Sequence, residues 1–477
     1  MLAPADRDRW ALFVEDRQAV VEALRRGECD AILPAARTFL DGFATFLLEH
    51  GIVQLFETVP DHRQRHSIPA FFFCTTLLYL PLFRLHHLID IEQVLFRSPF
   101  ILRTLGFNAR QIAEGFYASN GPRPFTAEAL GDFCEKLPAK ALLDLQLAIV
   151  RQLRSQFPRL FEQGTYAMDC LLVSCPSGAR GLSAVRLKYC VLSLRLGDRS
   201  LPLLASSGPD TGDDSGDVTR GRQLVAELRK ALGPRDIDLL LIDRGFLDGA
   251  WVAEQARLGT EVIIGQKSNM AAYQDLVGLA NMEETVWEEV AAPKNHRSPA
   301  PKRELALFPE ITTWDACQVP LSGLVIRDLY PDGKQEWQVY VSPRSYAKAS
   351  DFYDRQRLRW QEEECFMALT RYWGADDLPP LREGVARALI HFSLLAYLLL
   401  GLFRWQEEGQ EEPLANALLP PMIVPEVELA VYAGQHYALL TASELLTIIF
   451  DNFPAWHKHR RKLLRSLRLA ERRLDSS

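Results

Sequence analysis

The sequence predicts a mixed α/β fold, and a change of pattern near residue 164 carries that prediction. Residues 1–160 show apolar side chains three and four positions apart, the spacing of amphipathic helices. From Gly164 onward, short runs rich in β-branched and aromatic residues follow one another, and two later apolar runs alternate with helical stretches. We therefore expect a helical N-terminal region followed by a sheet whose later strands alternate with helices.

The N-terminal region is interpreted as one helical domain over residues 1–160. Its predicted helices lie at residues 17–26, 34–49, in the apolar run after Pro69, at 91–96 and at 139–157. The turn signals Asn-Gly-Pro and Pro-Arg-Pro near residue 120 interrupt this pattern. Nothing in the periodicity distinguishes one of these helices from the others.

The central region predicts five strands and two helices. The runs YAMDCLLVSC, AVRLKYCVLSLRLG and LPLLASS are typical of a three-stranded meander. A helical stretch at 218–232 then leads to the buried strand DIDLLLID, the helix GAWVAEQARLG and the strand TEVIIGQK. The order β-β-β-α-β-α-β is that of a ribonuclease H-like core, in which three antiparallel strands adjoin two parallel ones.

The rest of the chain predicts an insertion and two long helices. Helical periodicity stops after Lys267 until about Ser350, which indicates a β-rich insertion at 268–346. Ser350 is expected to cap a helix over 351–373, and a buried helix follows at 382–405. The catalytic core would thus comprise residues 161–267 and 347–408, and residues 409–477 would form a C-terminal helical region with a basic tail.

Composition excludes several classes of protein. The chain has 477 residues with a net charge of -7, so a protein that coats nucleic acid over its whole surface is excluded. Its eight cysteines include no C-x-x-C pair, which favours a reduced, cytoplasmic protein without structural zinc. The N-terminus lacks the apolar region of a secretory signal. The apolar runs 68–83 and 388–403 are interpreted as buried helices, so no membrane is expected.

Three acids stand where phosphoryl-transfer chemistry would place them. Asp169 lies inside the first core strand, where a carboxylate is costly unless it has a positive partner. Asp243 ends the strand LLLID, at the edge where parallel strands hold ligands. Glu363 lies in RLRWQEEECF on the predicted long helix. If that helix crosses the sheet, the three carboxylates converge and need a cation.

Oxygen ligands without nearby His or Cys favour two Mg²⁺ or Mn²⁺ ions, which would activate a nucleophile and stabilise the leaving oxygen. Each acid alone has a simpler explanation: Asp243 as a turn cap, Asp169 as an ion-paired strand residue, and Glu363 as one of three solvated glutamates. Their joint placement favours the catalytic interpretation.

Two segments resemble DDE transposases of bacterial insertion sequences. They are LLIDRGFLDGAWVAEQARLGTEVIIGQKSN and QVYVSPRSYAKASDFYDRQRLRWQEEECFMALTRYW. One branch of that family has a long β-insertion and the signature Tyr, two residues, Arg, three residues, Glu, six residues, Lys. The resemblance assigns the arginine to Arg359 and the glutamate to Glu363. The tyrosine position holds Gln356 and the lysine position Thr370, while Tyr353 and Arg371 lie nearby out of register.

The resemblance implies metal-dependent cleavage of DNA at element ends and strand transfer to a target, by a homodimer in the DNA complex and without a small-molecule cofactor. It implies a cytoplasmic, nucleoid-associated protein whose N-terminal domain contributes to binding DNA ends. We expect cationic DNA contacts from Arg244, Arg359, Arg371, Lys458, Arg460, Arg461, Lys462 and Arg465. The last five belong to segment 456–473, which carries +7 while the remaining residues carry -14. A solvated terminal helix is the alternative interpretation of that segment.

Two weaker features have simpler explanations. The resemblance implies an aromatic side chain in the insertion that receives a flipped base, and Trp287, Trp314 and Trp337 are candidates, although a role in the insertion's own core is favoured. The acidic loop with Asp210, Asp213, Asp214 and Asp217 reads as solvated rather than metal-binding. A P-loop lysine and a G-x-S-x-G motif are absent from the sequence.

Two other functions remain open from the sequence. The substitutions at Gln356 and Thr370 allow a catalytically silent DNA-binding protein of transposase ancestry. The three acids also allow a metal-dependent DNA nuclease that hydrolyses without joining.

Overall fold

Two β-sheets surrounded by helices organise the chain in the computed structural model. It describes residues 14–63, 68–107, 111–112, 124–176, 184–209, 215–233, 236–291, 301–371, 373–375, 378–407 and 426–451. Within these ranges the protein has a mixed α/β architecture with a nine-stranded mixed sheet and a separate four-stranded sheet.

The helices are, in chain order, α1 (Arg17–Arg25), α2 (Phe39–Glu49), α3 (Ile52–Phe56), α4 (Ala70–Leu82), α5 (Asp90–Gln93), α6 (Pro99–Thr104), α7 (Ala127–Lys136), α8 (Ala139–Gln156), α9 (Pro158–Phe161), α10 (Ser215–Leu232), α11 (Gly249–Arg257), α12 (Ala271–Ala280), α13 (Ala349–Arg357), α14 (Trp360–Arg371), α15 (Glu383–Glu407) and α16 (Ala442–Asp451). Short 3-10 turns occur at Leu95–Arg97 and Arg244–Phe246.

The strands are β1 (Val14–Glu15), β2 (Ala31–Arg37), β3 (Gly164–Cys175), β4 (Val185–Leu196), β5 (Arg199–Pro209), β6 (Ile237–Ile242), β7 (Glu261–Gly265), β8 (Glu288–Val290), β9 (Lys302–Ile311), β10 (Leu321–Leu329), β11 (Gln335–Ser342), β12 (Glu426–Ala433) and β13 (His436–Leu440). The large sheet has the order β5-β4-β3-β6-β7-β11-β10-β9-β8. In it β3, β4 and β5 are antiparallel, whereas β3, β6 and β7 are parallel.

The β-rich segment before α13 extends the main sheet. Strand β11 pairs antiparallel with β7, placing Tyr340 opposite Gly265, and β10, β9 and β8 follow outward. The prediction that helical structure is absent between Lys267 and Ser350 is wrong, because α12 occupies part of that interval. Its buried Ala272, Leu276 and Ala280 recur every four residues, so helical periodicity is present in the sequence but extends over only ten residues.

The second sheet joins the two ends of the described chain, in the order β1-β13-β12-β2. The helical N-terminal domain predicted at 1–160 and the C-terminal helical region predicted at 409–477 therefore also contain strands, which is a correction to both predictions. Strand β2 begins before the helix predicted at 34–49 and overlaps its first four residues, and its hydrogen-bonded partner β12 lies almost 400 residues away. Short sequence windows cannot show a pairing at that distance, because strand propensity depends on the neighbour that the strand meets.

The predicted helix over 351–373 consists of two helices. Leu358 and Arg359 form 3-10-type hydrogen bonds between α13 and α14, although neither is a helix breaker by residue type. The cap is also different from the prediction. The carboxylate of Glu288 on β8 accepts hydrogen bonds from the backbone N–H groups of Ala349 and Ser350, at 2.9 and 3.1 Å, so the insertion fixes where α13 begins.

Helix α15 is long and apolar enough to cross a membrane, the one such helix among the described residues. It is packed inside the fold, since 94% of its most apolar stretch is buried. A Cβ added to Gly401 would lie 2.6 Å from Cδ2 of Leu201, so glycine permits the close approach of α15 to β5. The other apolar run forms α4, whose residues from Phe71 to Leu82 are all buried.

Candidate active site

Asp169 and Asp243 lie side by side on neighbouring parallel strands. Asp169 is inside β3, and Asp243 follows the last residue of β6. Met168 pairs with Ile242, and the backbone N–H of Asp243 donates to the carbonyl oxygen of Met168 at 3.3 Å. This register brings two acids, 74 positions apart in the sequence, next to each other at the carboxyl end of β6.

Each aspartate uses one oxygen locally and turns the other toward Arg359. Asp169 Oδ1 accepts from the backbone N–H of Cys170 at 2.7 Å, and Asp243 Oδ2 accepts from that of Gly245 at 3.1 Å. The second oxygens, Asp169 Oδ2 and Asp243 Oδ1, lie 3.2 and 3.5 Å from Nη1 of Arg359. The local bonds fix the carboxylate orientation that the ion pairs require.

Glu363 completes the cluster from the first turn of α14. Its Oε1 accepts a hydrogen bond from Nη2 of Arg359, four residues earlier. The side chains of Arg359 and Asp169 are each 20% exposed, whereas those of Asp243 and Glu363 are 34% and 37% exposed. The three acids therefore meet on one guanidinium in a half-buried site that opens to solvent on the side of Asp243 and Glu363.

Burial and mutual repulsion make this cluster electrostatically demanding. Burial and, next to it, the charge of Asp243 raise the pKa of Asp169 to about 6, although the Cys170 N–H and Arg359 act to lower it. Burial by itself would lower the pKa of Arg359, but Glu363, Asp169 and Asp243 raise it above its ordinary value. One guanidinium charge thus faces three carboxyl groups, so the cluster is net negative when all three are ionised.

The donor chemistry of the three acids fits a hard divalent cation. Carboxylate oxygens, with no imidazole or thiolate among them, are the ligands that Mg²⁺ and Mn²⁺ prefer. Within the part of the chain that the structure describes, no group of three or more His, Cys, Asp or Glu side chains has metal-binding geometry. At this site the carboxylates are turned toward Arg359 instead, which holds the positive charge.

The three consecutive glutamates of α14 have different environments. Glu362 is fully buried and accepts hydrogen bonds from the hydroxyls of Ser193, at 2.7 Å, and Ser200. Burial raises its pKa to about 8. Glu363 points to Arg359, while Glu364 is half-buried. Only one phase of the helix brings Glu363 to the aspartates.

Tyr340 is a neighbour of the site that sequence reasoning missed. It lies on β11 opposite Gly265, and a Cβ added to Gly265 would lie 3.5 Å from Cε1 of Tyr340 and 3.8 Å from Cβ of Arg244. Burial raises the pKa of its hydroxyl, on which the charges of Arg359, Glu363 and Asp243 also act. Its position could not be predicted because it depends on the pairing of β11 with β7.

The departures from the resembled signature are visible in the structure. Tyr353 is buried, and its hydroxyl accepts from Nη1 of Arg303 at 2.8 Å, so it belongs to the core under α13. The Thr370 hydroxyl donates back to the carbonyl of Phe366 at 2.9 Å. Arg371 is exposed at the last position of α14.

The other predicted DNA contacts are only partly described. Arg244 is exposed and begins the 3-10 turn directly after Asp243. It therefore lies at the carboxyl end of β6, beside the acids. Five predicted contacts lie outside the described residues: Lys458, Arg460, Arg461, Lys462 and Arg465.

Three tryptophans proposed for base flipping are engaged in the insertion. The guanidinium carbon of Arg327 lies 3.9 Å from the ring centre of Trp287 and 5.6 Å from that of Trp337. Trp314 is 8% exposed. In this structure the three rings pack within the protein, in keeping with the structural role that the sequence favours.

The acidic loop is described only at its end. Asp217 is buried and forms ion pairs with Lys188 and Arg220, which already satisfy its charge. Asp210, Asp213 and Asp214 lie outside the described residues.

Comparison with known proteins yields one family. Residues 201–399 match the family model described as "Transposase DDE domain", a stretch that contains Asp243 and Glu363 and begins after Asp169. Among solved structures, the NurA nuclease from Sulfolobus solfataricus aligns with 11% identity and a TM-score of 0.21, over 52% of this chain and 86% of that one. No curated protein gives a significant match.

Proposed function

Because residues 201–399 match the family model of the transposase DDE domain, we propose that this chain is a DDE-type transposase with Asp169, Asp243 and Glu363 as its catalytic acids. With them it would nick DNA at the ends of an insertion sequence and join the freed 3′-hydroxyl to a target. The observation that supports this assignment is the meeting of all three carboxylates on Arg359. Metal-dependent DNA cleavage is general for this family.

The same three acids would hold the divalent ions, and we propose two ions of Mg²⁺ or Mn²⁺. When bound, such ions lower the pKa of the attacking water or hydroxyl and stabilise charge on the scissile phosphate. The chain itself supplies the orientation, because one oxygen of each aspartate is fixed by a backbone N–H and the other faces the site.

Arg359 would change partners during the reaction. Its planar guanidinium can pair with carboxylates or with a phosphodiester, and both are bidentate oxygen acceptors. Once cations neutralise the acids, its two Nη groups become available to the DNA backbone. Arg244, exposed next to Asp243, would bind a neighbouring phosphate.

We propose that residues 161–267 and 347–408 form a ribonuclease H-like core, with 268–346 as its insertion. Three antiparallel strands beside two parallel ones, β5-β4-β3-β6-β7, support this assignment. Residues 1–160 would then help to bind DNA ends and residues 409–477 would carry the basic tail.

DNA is the partner of a transposase. A homodimer on paired element ends and action on nucleoid DNA in the cytoplasm complete the proposal. The homodimer can be tested by measuring the molecular mass of the protein in solution with and without DNA ends.

A joining assay tests the function. End-labelled linear DNA made from the segments that flank the gene, and an unlabelled target plasmid, are incubated with the full chain and Mg²⁺ or Mn²⁺. A transposase gives labelled plasmid, a nuclease gives cut ends without joining, and a silent DNA-binding protein gives a gel shift alone.

The variants Asp169→Ala, Asp243→Ala and Glu363→Ala should each abolish cutting and joining while DNA affinity changes little, because phosphate contacts carry most of that affinity. Glu364→Ala, which removes the next carboxylate on the helix, is the matched control and should retain activity. Joining by Asp243→Ala at the wild-type rate would refute the site.

A further inference from the structure

Helix α14 is tied to the β4–β5 hairpin through its first turn. The buried carboxylate of Glu362 accepts from Ser193 on β4 and Ser200 on β5. Beside it, Oε1 of Gln361 accepts from Nε of Arg195 on β4 at 2.9 Å. Two consecutive side chains of the helix therefore bond to one hairpin, immediately before Glu363.

The β4–β5 hairpin pairs through β4 with β3, the strand that carries Asp169. Asp169 pairs with Val191 on β4, and Ala167, two residues earlier on the same face, pairs with Ser193. Ser200 on β5 is opposite Arg195 on β4. The serines thus lie on the sheet face toward which Asp169 points, and their distance from Asp169 is fixed by strand pairing.

We propose that Glu362 is a positioning residue. It fixes the position of α14 along its axis and its rotation about that axis, so that Glu363 reaches the metal site formed with Asp169 and Asp243. This inference rests on the proposed function. A helix turns by about 100° per residue, so a small rotation of α14 would carry Glu363 away from the aspartates. A fully buried carboxyl group bound by two hydroxyls resists that rotation, because any turn leaves polar groups buried without partners.

The consequence is an effect on metal binding that is larger than the effect on folding. Removing a residue that orients metal ligands without contacting the metal itself typically weakens metal binding by roughly 10–100-fold. Glutamine has the length of glutamate, and its amide can accept from one serine while donating to the other, so Gln can keep the helix in place.

The test measures Mn²⁺ binding to the metal-free full chain by the loss of the free-ion electron paramagnetic resonance signal, together with the thermal midpoint. We expect Glu362→Ala to raise the Kd for Mn²⁺ about tenfold or more, and Glu362→Gln to bind within about threefold of wild type. Ser193→Ala with Ser200→Ala removes the same bonds from the other side and should reproduce the loss if Glu362→Ala does not fold.

Cys365→Ala is the control for simple loss of packing. Cys365 is buried on the same helix, three residues after Glu362. It should lower the thermal midpoint without changing Mn²⁺ affinity. Wild-type Mn²⁺ affinity in folded Glu362→Ala, or an equal loss in Cys365→Ala, would overturn the positioning role.

Asp243→Asn separates this inference from the proposed function. If that variant loses Mn²⁺ binding while Glu362→Ala keeps it, only the positioning role is wrong. If Asp243→Asn binds Mn²⁺ like wild type, the metal site itself is misplaced, and the positioning role is overturned with it.

Discussion

Arg359 and Asp169 form an ion pair across 190 positions of sequence, with Nη1 of the arginine 3.2 Å from Oδ2 of the aspartate. The same guanidinium contacts Asp243 and Glu363. An arginine that would be expected to hold DNA phosphate is therefore bound to the proposed metal ligands. Metal and guanidinium compete for the same oxygens, and DNA phosphate competes with these oxygens for the guanidinium.

Replacing Arg359 by alanine should destabilise the metal-free protein by ~1–3 kcal/mol, because three acids then face one another without a cation. The lower part of that range is expected, since Asp243 and Glu363 are about one-third exposed and screened by solvent. Saturating Mg²⁺ should raise the free energy of unfolding of Arg359→Ala by more than it raises that of wild type. Urea unfolding with and without Mg²⁺ measures both quantities.

Arg371→Ala is the control for that experiment, since it removes an exposed arginine from the far end of α14 and should change stability by less than about 0.5 kcal/mol. An Arg359→Ala protein as stable as wild type in the absence of metal would contradict the competition.

Asp169 should make the stability of the metal-free protein depend on pH. Its pKa rises from 3.8 to about 6 on folding, because of burial and the charge of Asp243. Between these two values the folded state therefore holds a proton that the unfolded chain releases. The contribution of Asp169 to the free energy of unfolding is complete below pH 3.8 and is lost as the pH rises to about 6. Asp169→Asn lacks this dependence.

The free energy of unfolding of wild type minus that of Asp169→Asn should consequently fall by ~1–2 kcal/mol between acidic and neutral pH, after allowance for partial exposure. Urea titrations near pH 4 and pH 7 in chelator check this difference. The exposed Asp144→Asn serves as the control, and a difference that grows with pH would disprove the assigned direction.

The sequence predicted the parts of the site that depend on local pattern. The apolar run before Asp243 indicated its strand, and the resemblance singled out Glu363 among three glutamates. The buried position of Glu362 could not be predicted, because adjacent glutamates look alike in sequence until the orientation of the helix relative to Ser193 and Ser200 is known. The partners of Arg359 likewise depend on its tertiary neighbours.

The same reason explains the errors in the fold. Core strands β3 to β7 follow from apolar runs of ordinary length. Strand β3 pairs with β4, and β6 with β7, each with the next strand along the chain, while the pairing of β3 with β6 follows from the ribonuclease H-like order of the elements. Strands β2 and β12 pair across the whole chain, and β11 joins β7 across the insertion. Periodicity indicates that a segment can be a strand, but not which distant strand it meets.

The basic tail should supply a measurable share of DNA affinity. Deleting residues 456–477 removes a net charge of +6, so binding should weaken and the slope of log affinity against log salt should become shallower. Each lost phosphate contact reduces that slope by about 0.9 on duplex DNA. Fluorescence anisotropy with a labelled duplex at several salt concentrations gives the slope, and an unchanged slope would mean that the tail makes no phosphate contacts.

The position of the missing signature lysine separates a working transposase from a silent one. Thr370 lies seven residues, about two turns, after Glu363 on α14, and its hydroxyl is bonded to the carbonyl of Phe366. Arg371, next to it and exposed, is offset by about 100° and would have to curl back to reach a phosphate beside the acids.

Arg371→Ala should therefore reduce the rate of DNA joining about tenfold, the effect of one charged phosphate contact of ~1.4 kcal/mol. Adding Thr370→Lys to that variant should recover part of the rate, while Mn²⁺ affinity stays constant in both proteins. Unchanged joining by Arg371→Ala would show that Arg371 does not replace the lysine, and wild-type binding of DNA without cutting under Mg²⁺ or Mn²⁺ would favour the silent DNA-binding protein.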